Sequence, residues 1–464
     1  MPTIAFITLG CKVNQYDTQV MREVARQNGY DVVSESEAAD VYVINTCTVT
    51  HTSDRKARQT IRKTIKAHPD AKILVTGCYA DSDGERIEGI EGVTSVLGNN
   101  EKKRLPEYLR KLGKFGDSTP PFIKGGGITT FDGQTRALVK IQDGCNTFCT
   151  YCIVPYVRGR MTSRPVDDIV REVEALAQNG YKEVVITGVH LGAYGKDINN
   201  SMNLGLSRNE VAYRNPKRIE TIADVLERIH PINGIERIRL SSIEPMDVPD
   251  DLIERIAQLP KVAPHFHLPL QSGNNEILKK MGRRYTVEEY ARLVEKLRAT
   301  FPDAGITTDI MVGFPSETDS QFNDTYDFIK KMAFSRLHVF RYSPRRGTPA
   351  ASYPDQIPAD ISAARSEAAR ELGHRLVEEF HLKMLGRVMG VIVEDSREGK
   401  DNLLAGFTGN YIRVLMDVPD AMINQMIRVR LVELEGRFVR GCQVDDYKFR
   451  DTEGKKHESR YPKA

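Results

Sequence analysis

The sequence predicts an α/β protein in three parts: an N-terminal parallel α/β domain (residues 1–112), a central open (β/α)6 barrel (136–375) and a small C-terminal β-barrel (376–447). Three observations predict it. Short apolar runs alternate with amphipathic helical stretches up to about Pro349, the pattern of parallel sheets with crossover helices. Cysteines recur just beyond several of those runs, where loops gather on one edge of a parallel sheet. After Gly386 the alternation gives way to short strand-like runs alone. A turn-rich segment, 113–135, links the first two parts, and the polar stretch 448–464 reads as a tail.

In the first part, Ile4–Thr8, Val41–Asn45 and Ile73–Thr76 read as strands, and Asn14–Asn28 and His51–Ala67 as helices. Cys11, Cys47 and Cys78 each follow one of these strands. Parallel strands bring such positions together, so the topology predicts a three-cysteine site, against the simpler reading of three unrelated core thiols. On the helix His51–Ala67, Ala57, Ile61 and Ile65 share one face while Arg55, Arg58, Arg62 and Lys66 share the other. One side packs; the other is either a phosphate-binding ridge or simply a solvated face.

In the second part the strands are Ala137–Ile141, Glu183–Thr187, Arg237–Leu240, Phe266–Leu270, Thr307–Val312 and Leu337–Tyr342. Cys145, Cys149 and Cys152 follow the first of them in a CxxxCxxC run. Three thiolates on one loop hold three corners of a [4Fe–4S] cube and leave the fourth iron open to a ligand. A structural zinc ion would want a fourth ligand, and the nearest following histidine, His190, lies outside the usual spacing. The other strand ends carry Thr187-Gly188, Ser241-Ser242 with Glu244, Gln271-Ser272-Gly273, and Arg341 followed by Arg345-Arg346. The first three groups suit a polar ligand and equally suit helix caps and turns; the arginines suit a phosphate or a carboxylate, or else a solvated loop. Arg158 and Arg160 add positive charge just behind the cysteine loop, or else form a surface pair. The stretch Lys196–Lys217 is polar and reads as a loop at the edge of the site.

The last part opens with an amphipathic helix, Ile361–Leu385, whose apolar stripe is Ala364, Ala368, Leu372, Leu376 and Phe380. Strands Val388–Glu394, Tyr411–Met416, Arg428–Leu434 and Phe438–Val439 follow. Phe407 and Tyr411 offer rings for stacking on bases, with Arg413, Arg428 and Arg430 nearby for phosphate; barrel-core packing competes with that reading for Phe407. Cys442 reads as a packing thiol.

Composition narrows the function classes. Of 464 residues, 40% are hydrophobic and 28% charged, which suits several folded cores and excludes a disordered chain. A net charge of +3 means that any nucleic-acid surface is local. The N-terminus opens on strand-like Thr3–Thr8 with no leader pattern, and no apolar run reaches the ~20 residues of a membrane span, so a cytoplasmic protein is expected. Seven cysteines, six of them in two triplets, point to metal ligation in a reducing compartment rather than to disulfides.

The CxxxCxxC loop resembles the signature of radical S-adenosylmethionine (SAM) enzymes, in which the amino and carboxylate groups of SAM chelate the open iron. With the cysteine-bearing domain ahead of it, the chain from Thr8 to about Val444 is similar to the radical-SAM methylthiotransferases. The pieces that carry the resemblance are Thr-Leu-Gly-Cys-Lys-Val-Asn-Gln-Tyr at Thr8–Tyr16, Asn-Thr-Cys-Thr-Val-Thr at Asn45–Thr50, Gly77-Cys78-Tyr79, and Cys145 through Arg160. The resemblance implies two [4Fe–4S] clusters. One, on Cys145, Cys149 and Cys152, cleaves SAM to a 5′-deoxyadenosyl radical; the other, on Cys11, Cys47 and Cys78, carries the sulfur to be inserted. A second SAM supplies the methyl group. It further implies SAM contacts from Thr187, Gly188, Ser241, Ser242, Glu244, Gln271, Ser272 and Arg341, a TRAM-type RNA-binding module at the C-terminus, and a length at Lys196–Lys217 beyond the family's usual. The wording after Cys11 is most like the branch that modifies C2 of threonylcarbamoyladenosine next to the tRNA anticodon. Isopentenyladenosine in tRNA and a ribosomal-protein aspartate are the alternatives within the family, and a metal-scaffolded RNA-binding protein without catalysis is the alternative outside it. An electron donor and a sulfur source are required partners whose identities the sequence does not set, nor does it set the oligomeric state.

Overall fold

The computed structural model describes residues 1–111, 127–197 and 220–444. Most of the expected linker, residues 198–217 of the polar stretch and the tail lie outside the described residues. The chain divides into two compact units, Met1–Val377 and Glu378–Ala464.

The first unit begins with strands β1 (Thr3–Thr8), β2 (Asp31–Val33), β3 (Val41–Thr46), β4 (Lys72–Gly77) and β5 (Val93–Leu97), all parallel in the order β2-β1-β3-β4-β5. β3 is buried at every position because helices cover both of its faces. On one side Ile4, Phe6, Val41 and Val43 pack with Met21 and Ala25 of the helix Lys12–Gln27. On the other, Tyr42, Ile44 and Val75 pack with Ala57 and Ile61 of the helix His51–Ala67. That helix has the boundaries its periodicity predicts; Thr50 caps it by accepting from the Ser53 N–H, and Arg55, Arg62 and Lys66 are exposed. β2 and β5 were not apparent in the sequence: β2 is three residues long, and polar Thr94 and Ser95 interrupt β5 at the sheet edge.

Six further strands follow in parallel order: β6 (Arg136–Asp143), β8 (Glu183–Gly188), β9 (Arg237–Leu240), β10 (His265–His267), β11 (Gly305–Val312) and β12 (Arg336–Arg341), with two-residue β7 (Thr162–Ser163) set antiparallel against β6. Bridges Ile238↔Val262 and Ser242↔His267 join β9 to β10, so the six form one open barrel wall. β10 stops short of the expected Leu270, because Pro269 has no N–H to give the ladder.

The helix Ala359–Met384 buries Ala369, Leu372 and Leu376, but Ala364 is exposed and Ala368 only half-buried. Arg365 takes the buried place instead, bonded to Glu317 at 2.8 Å; a buried ion pair displaces the start of the expected apolar stripe.

The second unit is a closed five-stranded barrel, order β13-β14-β15-β17-β16: β13 (Val388–Glu398), β14 (Leu403–Thr408), β15 (Arg413–Met416), β16 (Met426–Glu435) and β17 (Phe438–Gln443). Val391, Val393, Leu404, Val414, Met416, Val429, Leu431 and Val439 fill it. The sequence reading missed β14, whose run Leu-Leu-Ala-Gly-Phe-Thr is buried at five of its six positions and therefore does not alternate.

Candidate active site and metal centres

Strand register explains how distant cysteines meet. Thr8 pairs with Asn45, and Asn45 pairs with Thr76, so Cys11, Cys47 and Cys78 stand two or three residues beyond one rung of the sheet. Gly10 (φ +112°) and Gly77 (φ +99°) turn the chain there. A Cβ on Gly10 would lie 2.7 Å from the Cys47 Cβ, and one on Gly77 only 2.3 Å from the Thr46 carbonyl oxygen, so only glycine fits. Asn14 ties the edge together, donating to the carbonyls of Leu9 and Thr46 at 2.9 Å each. Cys47 and Cys78 are buried and Cys11 is exposed. Burial pushes the Cys47 thiol up to about 11, with the nearby charges of Cys78 and Cys11 adding to the rise. Such a thiol stays protonated at neutral pH until a metal displaces the proton.

The second triplet follows β6. Burial would push Cys145 up, but its bonds from His190 and Thr147 outweigh that and lower it. His190 Nδ1 stands 3.8 Å from Cys145 Sγ, and its Nε2 is 2.6 Å from Asp247. Burial lowers His190, yet Asp247 and Cys145 win and hold it up at about 9, so it is a cation beside the sulfur. Burial raises Cys149, and raises Cys152 to about 12. Arg283 Nη1 is 3.4 Å from Cys149 Sγ, and the same guanidinium is ion-paired with Glu244.

The strand-end residues separate by environment. Thr187 and Ser241 are buried, and the Ser241 hydroxyl has no hydrogen-bond partner among the described residues. Ser242 and Arg341 are exposed, Gly188 lies against Gln142, and Gln271 sits in the left-handed region at φ 69°. Ser272 differs from the expectation of a ligand contact: it is buried, paired with Thr325 at 3.2 Å, and accepts from the Asn274 N–H. Its hydroxyl shapes a turn.

The first cysteine site packs against the short helix that follows the second, and a polar seam runs beside it. Cys78 clusters with Ile153, just before the helix Val154–Arg158 that follows Cys152, and with Val157 inside that helix. Arg158 is buried, and reaches Asp143 at 2.8 Å, Asp17 at 3.2 Å and the Asn14 Oδ1 at 2.5 Å. It is no surface residue; Arg160 alone of that pair is exposed. Lys102 and Lys140 also bond Asp17. A cavity of about 660 Å³ opens beside this seam, lined by Tyr16, Lys102, Lys140, Arg158 and Arg164 among others. Arg345, expected to meet a phosphate or a carboxylate, is instead buried against Asp54 (2.8 Å) and Thr48 (2.6 Å). It pins the first sheet's edge to the barrel.

Of the basic ridge, Arg58 is tied to the Tyr79 hydroxyl at 2.6 Å and lies over its ring, whereas Arg55, Arg62 and Lys66 face outward. In the C-terminal barrel Phe407 and Tyr411 stack on each other, centroids 4.5 Å apart. Arg413 lies over Phe407 and pairs with Glu394 and Glu398, so its charge is met within the protein rather than held for phosphate. Cys442 is exposed, not a packing thiol.

Sequence reasoning missed Arg283, Asp247 and the His190 contact, because loops and short helical turns far apart in the chain bring them in. It also missed the Phe148–Tyr156 pair, edge-on at 5.7 Å and both half exposed, although Phe148 lies inside the cysteine loop and was the available signal.

An open parallel barrel with a three-cysteine loop after its first strand defines a radical-SAM enzyme, here with a second three-cysteine site ahead of it. The chain matches the Radical SAM superfamily over residues 139–329 and the "Uncharacterized protein family UPF0004" over residues 3–98. It is 37% identical to a Bacillus subtilis protein named threonylcarbamoyladenosine tRNA methylthiotransferase MtaB, over 95% of this chain and 97% of that one. A Thermotoga maritima protein of the same name is 34% identical over 96% and 98%. A Geobacillus kaustophilus tRNA-2-methylthio-N(6)-dimethylallyladenosine synthase is 34% identical over 95% and 82%. Among solved structures, the radical SAM methyltransferase TsrM from Kitasatospora setae shares the fold, with a TM-score of 0.52 and 15% identity over 80% of this chain and 85% of that one. The chain belongs to the radical-SAM methylthiotransferase family. SAM and [4Fe–4S] clusters are the cofactors of that chemistry.

Proposed function

We propose that this protein inserts a methylthio group at C2 of threonylcarbamoyladenosine next to the anticodon of tRNA. The observation that carries the reading is the presence of two three-cysteine strand-end sites, with Cys78 of the first packed against the short helix that follows Cys152 of the second, in a chain whose relatives named for that nucleoside match along almost their whole length.

The residues suit the cofactors. Cys145, Cys149 and Cys152 would hold the cluster at which SAM is cleaved, and Cys11, Cys47 and Cys78 the cluster that carries sulfur. When bound, these clusters and SAM supply the radical, the sulfur and the methyl group. The chain's own groups position and stabilise. Arg283 and His190 place positive charge against two of the sulfurs, which favours their thiolate form. Glu244 anchors the Arg283 guanidinium beside Cys149, and the Ser241 hydroxyl, buried and without a partner among the described residues, is a group that a polar ligand can bond. The exposed Arg55, Arg62 and Lys66 suit the phosphates of a tRNA. Among the described residues no helix is long and apolar enough to cross a membrane, and we place the protein with its substrate in the cytoplasm. A one-electron donor and a sulfur source complete the reaction.

The test compares Cys149→Ala with Cys47→Ala after anaerobic reconstitution, alongside tRNA nucleosides from cells with and without the protein. Cys149→Ala is expected to stop 5′-deoxyadenosine formation. Cys47→Ala is expected to retain it and to stop thiolation. Unchanged methylthio-threonylcarbamoyladenosine in cells lacking the protein would defeat the reading, and loss of a methylthiolated isopentenyladenosine instead would move the substrate.

A further inference from the structure

His267 on β10, Asp309 on β11 and His338 on β12 bring three ligand atoms within 4.8 Å of one another. They share no residue with either cysteine site. His267 Nε2 lies 3.2 Å from Asp309 Oδ1, and His338 Nδ1 lies 3.1 Å from the same oxygen.

Strand alternation sets the direction in which they point. The neighbours Phe266, Thr308 and Leu337 face the outer helices: Phe266 packs on Phe301, Thr308 meets Tyr290, and Leu337 lies against Gly373. His267, Asp309 and His338 therefore point the other way, into the barrel. The register places them on adjoining rungs, with Asp309 opposite His338 and His267 opposite Thr307.

The surroundings are those of a metal ligand set. Thr307 Oγ1 lies 2.8 Å from His267 Nδ1, so it can accept that N–H and leave the Nε2 lone pair aimed at the convergence point. His267 is buried while the His338 side chain is 46% exposed, so the set is closed on the wall side and open to the barrel interior.

The geometry points to a divalent transition-metal site, formed by His267, Asp309 and His338, with coordination positions left open for an oxygen ligand inside the barrel. Two imidazoles and one carboxylate suit zinc or ferrous iron, and three protein donors leave a fourth position free in a tetrahedral site.

Zinc alone is the probe. The holoenzyme with both clusters loaded is dialysed against Zn²⁺, with iron per chain measured before and after so that zinc in vacated cluster sites is not counted. The wild-type protein is expected to take up about one zinc more per chain than His338→Asn or Asp309→Asn, and Thr307→Val to weaken uptake by at least about tenfold. His338→Asn alters a half-exposed residue, and its thermal unfolding should match the wild type. Equal uptake by wild type and both ligand variants, or none by the wild type, would overturn the proposal and leave Asp309 as a hydrogen-bond acceptor between two histidines.

Discussion

Arg283 Nη1 approaches Cys149 Sγ to 3.4 Å while the same guanidinium is ion-paired with Glu244. The residues are 134 apart in the chain, yet one cation serves both a sulfur and the nearest carboxylate. Arg283→Lys keeps the charge but loses the planar fork that meets both. SAM cleavage is expected to fall by about 10- to 100-fold at unchanged iron content, the usual cost of losing a group that orients a metal ligand. Iron analysis and 5′-deoxyadenosine yield, measured on the same sample, check it.

Asp17 accepts from Lys102, Lys140 and Arg158 in the seam between the first sheet and the barrel. Burial alone would raise its carboxyl, but Lys102, Lys140 and Arg158 hold it well below the usual range. Asp17→Asn leaves those cations facing one another without an anion. A loss of about 3–5 kcal/mol in urea unfolding is expected.

Glu183 is fully buried between Arg239 (2.8 Å) and Arg237 (3.1 Å). Burial raises it, yet Arg239 and then Arg237 outweigh burial and hold it down at about 2, against an ordinary 4.5. A depressed carboxylate stabilises the fold above its unfolded value, and that contribution is lost as pH falls toward the folded value. Glu183→Gln should therefore be less stable than wild type by about 3 kcal/mol near neutrality. The gap should close as pH drops through about 4 to 2. A gap that stays constant with pH would mean that the charge of Glu183 contributes nothing.

The outward cations Arg55, Arg62 and Lys66 are tested together as glutamines. If each meets a phosphate, the slope of log affinity for tRNA against log salt should fall by about 2–3, since each contact contributes about 0.7–0.9. Arg58, already tied to Tyr79, should change that slope least.

The sheet elements were legible where one physical rule dominated. β3, β4 and the helix His51–Ala67 combine long apolar runs or clean periodicity with covered faces, so pattern and burial agree. β14 was not legible, because near-complete burial erases the alternation that marks a strand. The cysteine triplets stand out because spacing is local or repeats once per strand–helix unit. Their partners do not: nothing near His190 shows that Asp247, 57 residues on, will hold its ring. Arg158, Arg345 and Arg413 read as cations free to meet a ligand, yet each is ion-paired inside its own unit, which charge counting cannot reveal.

The five-residue helix Val154–Arg158 has a consequence for how the protein can be altered. Val157 and the preceding Ile153 touch Cys78, its first turn follows Cys152, and its last residue binds Asp17 and Asn14 of the opposite domain. A chimera that grafts the N-terminal domain of one relative onto the barrel of another would have to carry this wall across with it. The two halves have to be exchanged as a matched pair.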